Sequence, residues 1–219
     1  MLDVHALSKK IHGLKDFFLH ILTITIGLLI ALSLESFVEG IHHRDTLEAA
    51  KTSMHGEIVH NAQQLAGIRT QIAVEEKTLD DDLTVLLKFR DKTADVDGHE
   101  KLLFTFESTQ LDDAAWKTAQ TAGAFTYMPY VQAQEFSGIY GVQDDFRKAQ
   151  QQVNESVLDA AAVVANLPDG AKPTDAETLT TIDRVRIARM HLIFLQALSE
   201  TMEKSYQGYL TGLKGEQAH

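Results

Sequence analysis

Residues 47–72 read LEAAKTSMHGEIVHNAQQLAGIRTQI, and mostly apolar positions recur in this stretch every seven residues. One series comprises Leu47, Met54, Asn61 and Ile68, and a second comprises Lys51, Ile58, Leu65 and Ile72. The two series are offset by three and four residues, which is the spacing of a seam between packed helices. The stretch therefore predicts a long helix in a bundle. Asn61 in the seam either fixes the register or is simply solvated.

Toward the N-terminus this pattern runs without a turn signal into residues 17–34, FFLHILTITIGLLIALSL, which contain no charged side chain. With residues 36–38 the apolar stretch reaches the roughly 20 residues that a helix needs to cross a membrane. We expect a transmembrane helix over 17–38, within one helix from about residue 14 to about 76. The alternatives are a buried core helix and a cleaved signal peptide, whose apolar region is only about 7–15 residues long.

Charge asymmetry around the apolar stretch predicts its orientation. Lys9, Lys10 and Lys15 precede it, whereas Arg44 follows it among several acidic residues. By the positive-inside rule, we expect residues 1–16 to be cytoplasmic and residues 39–219 to form an exported domain. The formal charge of −11 argues against nucleic acid as a partner and leaves membrane lipids and other membrane proteins.

One face of the predicted span carries small and polar residues at a spacing of four: Thr23, Gly27, Ala31 and Glu35. Small residues at this spacing let a second helix approach closely. The pattern predicts a helix–helix interface with another integral membrane protein or with a second copy, although chance can also place Gly and Ala together in an apolar helix.

Downstream of residue 76 the sequence predicts shorter elements. Thr78 followed by Asp81 is typical of a helix start, and residues 92–98 of a loop. Residues 102–106 have β character but are isolated, so we expect an extended connector. Helices are then predicted over about 111–122, ended by Gly123, over about 131–140 with Pro129 in the first turn, and over about 142–166.

The C-terminal helix has the clearest start signal. Thr174 and Glu177 form a capping box, and a helix of about 38 residues follows. Its apolar positions recur at steps of three and four: Leu179, Ile182, Val185, Leu192, Leu195, Leu198, Met202, Tyr206, Tyr209 and Leu213. The predicted fold is all-α. An N-terminal transmembrane helix continues into a long stalk helix, which packs with a second long C-terminal helix and shorter helices as an antiparallel bundle.

Two segments resemble a group of uncharacterised bacterial single-pass membrane proteins with an exported helical domain. They are residues 35–44, which contain ESFVE and HHR, and residues 115–124, AWKTAQTAGA. The resemblance implies the same topology, in the bacterial inner membrane, with residues 39–219 as a periplasmic domain. It implies no activity, because no catalytic motif lies in these segments.

Motifs for chemistry are missing from the sequence. There is no cysteine, no nucleophile elbow and no phosphate-binding glycine loop. Glu39 and His43 lie four apart, but two ligands are too few for a structural metal site. His20 lies near the cytoplasmic edge of the span, where snorkelling to the interface explains it better than haem ligation. We therefore predict no catalytic, cofactor-binding or metal-binding residue.

Aromatic residues concentrate between residues 116 and 140, and they are Trp116, Phe125, Tyr127, Tyr130, Phe136 and Tyr140. Core packing between helices accounts for such a cluster, and a recognition surface is the alternative. Together these features predict a non-catalytic accessory or scaffolding subunit. It would dock on a larger membrane complex, or on itself, through its transmembrane and stalk helices. The alternative is an exported ligand-sensing domain that signals through a partner.

Overall fold

The computed structural model describes residues 13–93, 102–167 and 172–216. Within these ranges the regular structure is entirely helical: α1 (Gly13–Arg90), α2 (Ala114–Thr121), a 3₁₀ turn (Ala124–Thr126), α3 (Tyr130–Ala165) and α4 (Asp175–Glu216). The prediction of an all-α fold is confirmed. The chain divides into two compact units, Met1–Ala49 and Ala50–His219. Lys9, Lys10 and most of the predicted 92–98 loop lie outside the described residues.

The seven-residue pattern of α1 continues past its predicted end. Ile58, Leu65, Ile72, Leu79 and Leu86 follow one another every seven residues, and each is at most 4% exposed. No helix begins at Thr78, whose hydroxyl donates to the carbonyl of Val74 at 3.1 Å inside the same helix. The predicted boundary between 76 and 78 was therefore wrong, because the apolar seam carries the helix through it to Arg90.

The second unit is a bundle of α3, α4 and the part of α1 from Ala50 onward. Ion pairs join Arg69 to Glu203 and Asp80 to Arg189, so α4 runs antiparallel to α1, as predicted. α3 runs parallel to α1, since Glu57 and Asn61 contact Tyr140 and Gln143 in the same order along the two helices. Parallel neighbours need a return connection, and residues 91–129 provide it.

The return connection includes an extended segment, as predicted, which runs antiparallel to α1. Asp82 accepts hydrogen bonds from the backbone N–H groups of Leu103 and Phe104 at 2.8 and 3.1 Å. Two turns further back, Glu75 accepts from the N–H of Glu107 at 3.3 Å. Side chains of α1 thus supply the acceptors that a neighbouring strand would supply in a sheet.

α3 contacts the same extended segment from the other side. The amide of Gln150 donates to the carbonyl of Thr109 at 3.0 Å, and that of Gln143 donates to the carbonyl of Asp112 at 2.7 Å. Both glutamines are at most 5% exposed. The connector therefore lies between α1 and α3, and buried polar side chains of both helices bind its backbone.

Two boundaries in the middle of the chain differ from prediction. The stretches expected at 131–140 and 142–166 form one helix, α3, which begins after Pro129. The helix expected over 111–122 is limited to Ala114–Thr121. Gly123 follows it with a φ of 70°, a left-handed conformation that glycine adopts without a side-chain clash, and this ends the helix as predicted.

α4 begins at the predicted capping box. The backbone N–H of Thr174 donates to the Glu177 carboxylate at 2.7 Å, and the N–H of Glu177 donates back to the Thr174 hydroxyl at 3.2 Å. Most of the predicted core positions of α4 are buried: Ile182, Val185, Leu192, Leu195, Met202, Tyr206 and Tyr209. The prediction for Leu179 was wrong, since that side chain is 52% exposed in the first turns of the helix.

Candidate functional site

The N-terminal part of α1 is an apolar helix with no packing partner in the described chain. Every side chain from residue 13 to residue 42 is exposed. By length and composition the segment meets the requirements of a membrane span, which an N-terminal signal sequence also meets. The hydroxyls of Thr23 and Ser33 donate to carbonyls one turn earlier, at 2.9 and 2.7 Å, so they are satisfied within the helix.

The predicted interface residues Thr23, Gly27, Ala31 and Glu35 all lie within this exposed helix. A methyl group added at Gly27 would meet no atom within 4 Å. A larger side chain at this position is therefore accommodated by the isolated helix, and only a helix packed against it would clash.

Glu39 and His43 approach each other on α1, with 3.6 Å between the carboxylate and the imidazole. Nowhere in the described ranges do three His, Cys, Asp or Glu side chains group as a metal site would require. The pair is a surface contact between side chains one helical turn apart.

In the second unit, Trp116 of α2 packs between two other aromatic rings. It stacks on Tyr140 of α3 with centroids 4.8 Å apart and ring planes 17° apart, and Phe125 meets it edge-on at 4.8 Å. These ring contacts help to dock the two-turn helix α2 on the bundle.

The other three predicted members of the aromatic cluster lie elsewhere. Tyr127 and Tyr130 are 42% and 75% exposed, and Phe136 packs against Tyr209 of α4 with ring centroids 5.5 Å apart. The cluster predicted from the sequence is larger than the one in the structure, because Gly123 and the 3₁₀ turn change the direction of the chain between Trp116 and the start of α3.

A partly open pocket of about 300 Å³ lies beside the Trp116 and Tyr140 rings. Its walls come from α2 and α3 and from the residue preceding α2. They are formed by Asp113, Trp116, Lys117, Gln120, Ser137, Tyr140, Gly141, Gln143, Asp144 and Arg147. The pocket thus combines an aromatic wall with both acidic and basic side chains.

The charges of the pocket are arranged as pairs. Lys117 and Arg147 both contact the Asp113 carboxylate at 2.8 Å, and Arg147 also bonds to Asp144. Burial alone would raise the pKa of Asp113, but the hydrogen bonds from Lys117 and Arg147 outweigh it and lower that pKa. Hydrogen bonds from Lys148 and Arg147 likewise lower the pKa of Asp144. Both carboxylates are therefore ionised at neutral pH.

Glu57 of α1 binds Tyr140, which lines the pocket, and the first turn of α2. Its carboxylate accepts hydrogen bonds from the Tyr140 hydroxyl and from the backbone N–H of Ala115, each at 2.7 Å. Burial and the hydrogen bond to Glu57 raise the pKa of Tyr140, which stays protonated and acts as a donor. Sequence reasoning missed Glu57 and Arg147. A single acidic or basic residue on a helix is usually interpreted as solvent-exposed, and no motif identifies Glu57 or Arg147.

One serine–histidine contact outside the pocket has the composition of a catalytic dyad. Ser156 Oγ lies 2.7 Å from His191 Nδ1. The same hydroxyl also lies 2.7 Å from the carbonyl oxygen of Gln152, and the tautomer of His191 decides whether the imidazole donates or accepts. The contact links α3 to α4.

No protein-family model, curated protein or solved structure matches this chain. The resemblance carried by residues 35–44 and 115–124 therefore stays a prediction.

Proposed function

We propose that this chain is a non-catalytic, single-pass accessory or scaffolding subunit of the bacterial inner membrane. In this proposal residues 17–38 cross the membrane, the N-terminus is cytoplasmic and the bulk of the chain is periplasmic. The subunit docks on a larger membrane complex, or on a second copy, through its transmembrane and stalk helices. The observation that carries the proposal is the apolar stretch at the start of α1, which is exposed along its whole length and needs lipid or an apolar partner to cover it.

The face bearing Gly27 and Ala31 supports docking through the membrane helix. Close helix packing in lipid depends on small side chains, because the hydrophobic effect does not drive association there. Open space beside Gly27 means that substitution by leucine leaves the helix itself unstrained. The variant G27L/A31L therefore tests association separately from insertion.

Gentle detergent extraction of the tagged full-length chain, native-gel sizing and mass spectrometry of co-purifying proteins test the proposal. We expect a complex of defined size, which G27L/A31L dissociates. The matched control T25L/S33L adds two leucines to another face of the same helix and should leave the complex intact. Unchanged migration of G27L/A31L would refute docking through this face.

Topology has its own test, because the chain contains no cysteine. Thr211 is exposed near the end of α4, so T211C provides a single accessible thiol. We expect a membrane-impermeant maleimide to label T211C in intact spheroplasts. Labelling only after lysis would place the bulk of the chain in the cytoplasm.

The pocket beside Trp116 supports a second function, a periplasmic ligand-sensing domain that signals through a partner. Its paired acidic and basic side chains suit a small amphoteric ligand. Titration of the purified chain with the common amino acids, followed by the fluorescence of its single tryptophan, tests this function. Saturable changes that R147A abolishes would favour sensing over scaffolding.

A further inference from the structure

Glu57 of α1 binds both walls of the pocket beside Trp116. One wall belongs to α2 and the residue before it, and the other belongs to α3. The Oε1 atom of Glu57 accepts a hydrogen bond from the Tyr140 hydroxyl of the α3 wall, and Oε2 accepts one from the backbone N–H of Ala115 in α2, each at 2.7 Å. The two walls thus meet on a single carboxylate that belongs to neither of them.

The start of α2 depends on this carboxylate. N–H groups in the first turn of a helix have no partner within the helix and need another acceptor. Asp113, the residue before α2, makes no side-chain capping hydrogen bond, and its carboxylate binds Lys117 and Arg147 instead. Glu57 supplies an acceptor from a different helix, so the position of α2 is tied to α1.

The two walls also contact each other across the pocket. Arg147 of α3 binds the carboxylate of Asp113 at 2.8 Å, and both residues line the pocket. A small amphoteric molecule would use the same two groups, with its carboxylate on Arg147 and its ammonium group on Asp113. Such a molecule separates the walls where they now touch. Because hydrogen bonds tolerate little change in length and angle, Glu57 then loses its bond to one wall or moves with it.

We propose that Glu57 couples occupancy of the pocket to α1. The proposal rests on the sensing function proposed above and assigns the route by which a bound molecule acts. α1 also contains the exposed apolar stretch, so the response occurs on the helix through which the chain is proposed to dock. By reciprocity, a change in α1 that moves Glu57 alters the affinity of the pocket.

A second contact joins the pocket to α1 and is the alternative route. The buried side chain of Gln143 lines the pocket, and its amide oxygen accepts from Asn61 at 3.3 Å. The same oxygen accepts from the Tyr206 hydroxyl of α4 at 3.0 Å, and the amide nitrogen donates to the connector. Gln143 is thus held by three elements and is less free to follow an occupant, which favours Glu57 as the route.

Two glycines of α3 provide an occupant of the pocket and its matched control. Gly141 belongs to the pocket lining and Gly138 does not, although both are exposed. A methyl group added at either residue would meet no atom within 4 Å. G141F therefore places a ring in the pocket and leaves the helix unstrained, whereas G138F adds the same ring outside the pocket. The two substitutions have the same effect on helix propensity.

Backbone hydrogen exchange of the full-length chain in detergent, followed by mass spectrometry, measures the response. We expect G141F to raise exchange several-fold at the start of α2, in residues 112–118, and in residues 50–62 of α1. G138F should change neither. In the E57A background, G141F should still raise exchange in 112–118 but no longer in 50–62. A purely structural role of Glu57 would raise exchange in E57A itself without removing the effect of G141F on α1.

E57Q keeps the test decisive if E57A does not fold. It preserves the length of the side chain but has one acceptor oxygen in place of two, so it cannot bind both walls as the carboxylate does. In this background too, G141F should leave exchange in residues 50–62 unchanged.

Two results would overturn the proposal. One is unchanged exchange of residues 50–62 in G141F, and the other is an effect on these residues that persists without Glu57, which would assign the route to Gln143. Neither result depends on the amino-acid titration of the wild type. Absence of a saturable change in that titration would refute the sensing function, whereas an α1 response to G141F that requires Glu57 would still support the coupling.

Discussion

Asn61 on α1 pairs with the backbone of Asp112 as a residue of a neighbouring β-strand would. Its amide nitrogen donates to the Asp112 carbonyl at 2.7 Å, and its amide oxygen accepts from the Asp112 N–H at 2.9 Å. Asn61 is fully buried, and Gln143 of α3 donates to the same carbonyl. Asn61, at a seam position of α1, thus binds the connector. Together with Gln143 it fixes the register of the connector relative to α1 and α3.

Replacing Asn61 by leucine tests this pairing. N61L keeps a branched side chain with the same number of heavy atoms but removes both hydrogen bonds to the backbone of Asp112. We expect a loss of about 1–3 kcal/mol in the free energy of unfolding. Urea titration followed by circular dichroism measures it. Q63A, an exposed change on the same helix, should lie within about 0.5 kcal/mol of the wild type, and an equally small effect of N61L would contradict the structural role.

Tyr140 joins the aromatic stack to Glu57, and two substitutions separate its ring from its hydroxyl. Y140F keeps the ring on Trp116 and removes the donor to Glu57. We expect it to lower stability by about 1–2 kcal/mol without moving the tryptophan emission maximum. Y140A also removes the stacking surface, so emission should shift to longer wavelength as Trp116 meets water.

The control for these variants is Y130F, because Tyr130 is 75% exposed. It should change neither stability nor emission. A red shift in Y140F equal to that in Y140A would show that the hydroxyl, and not the ring, positions Trp116.

The capping box of α4 gives a third prediction. T174A removes the acceptor for the Glu177 N–H and should lower the melting temperature by about 2–4 °C. Thermal unfolding followed at 222 nm measures it. The hydrogen bond from the N–H of Thr174 lowers the pKa of Glu177 in the folded chain. The contribution of the Glu177 carboxylate to stability is therefore present above its ordinary pKa of 4.5 and is lost as the pH falls through its pKa in the folded state. T180A, an exposed threonine of the same helix, is the control.

The sequence predicted the helices well where apolar periodicity decided them. Two patterns show this: the series through Ile58, Leu65 and Ile72, and the capping box of α4. The side chains of the first pattern are stable in a hydrophobic core, and those of the second are stable at a helix start. Prediction failed at residue 76 because the other series of α1 continues as Glu75 and Asp82. A carboxylate at a seam position is usually interpreted as the end of the seam. Here both carboxylates are buried, because the connector supplies backbone N–H donors from 21–32 residues further along the chain.

The pocket was predictable only in part for the same reason. Trp116 and Tyr140 are large apolar rings that any folded chain would bury, so their clustering follows from composition. Glu57 binds Tyr140 and Ala115, and Arg147 binds Asp113, all of which lie at least 34 residues away along the chain, so the local sequence gives no indication of these contacts. The parallel arrangement of α1 and α3 likewise depends on a connector that has no strong local preference.

Glu75 gives a prediction about pH. Burial raises its pKa, the N–H of Glu107 partly offsets this, and the Glu107 charge raises it further. Because the pKa of Glu75 is higher in the folded than in the unfolded chain, the folded state holds the Glu75 proton more tightly. The free energy of unfolding therefore falls as the pH rises from the ordinary pKa of 4.5 through the pKa of the folded state.

E75Q removes the charge, keeps the acceptor for the Glu107 N–H and offers a donor to the Glu107 carboxylate. We expect E75Q to be more stable than the wild type at pH 7, and the difference to vanish below pH 4.5. Melting temperatures across this range measure it, with E76Q as the neighbouring control. A difference independent of pH would show that packing, and not ionisation, distinguishes the two side chains.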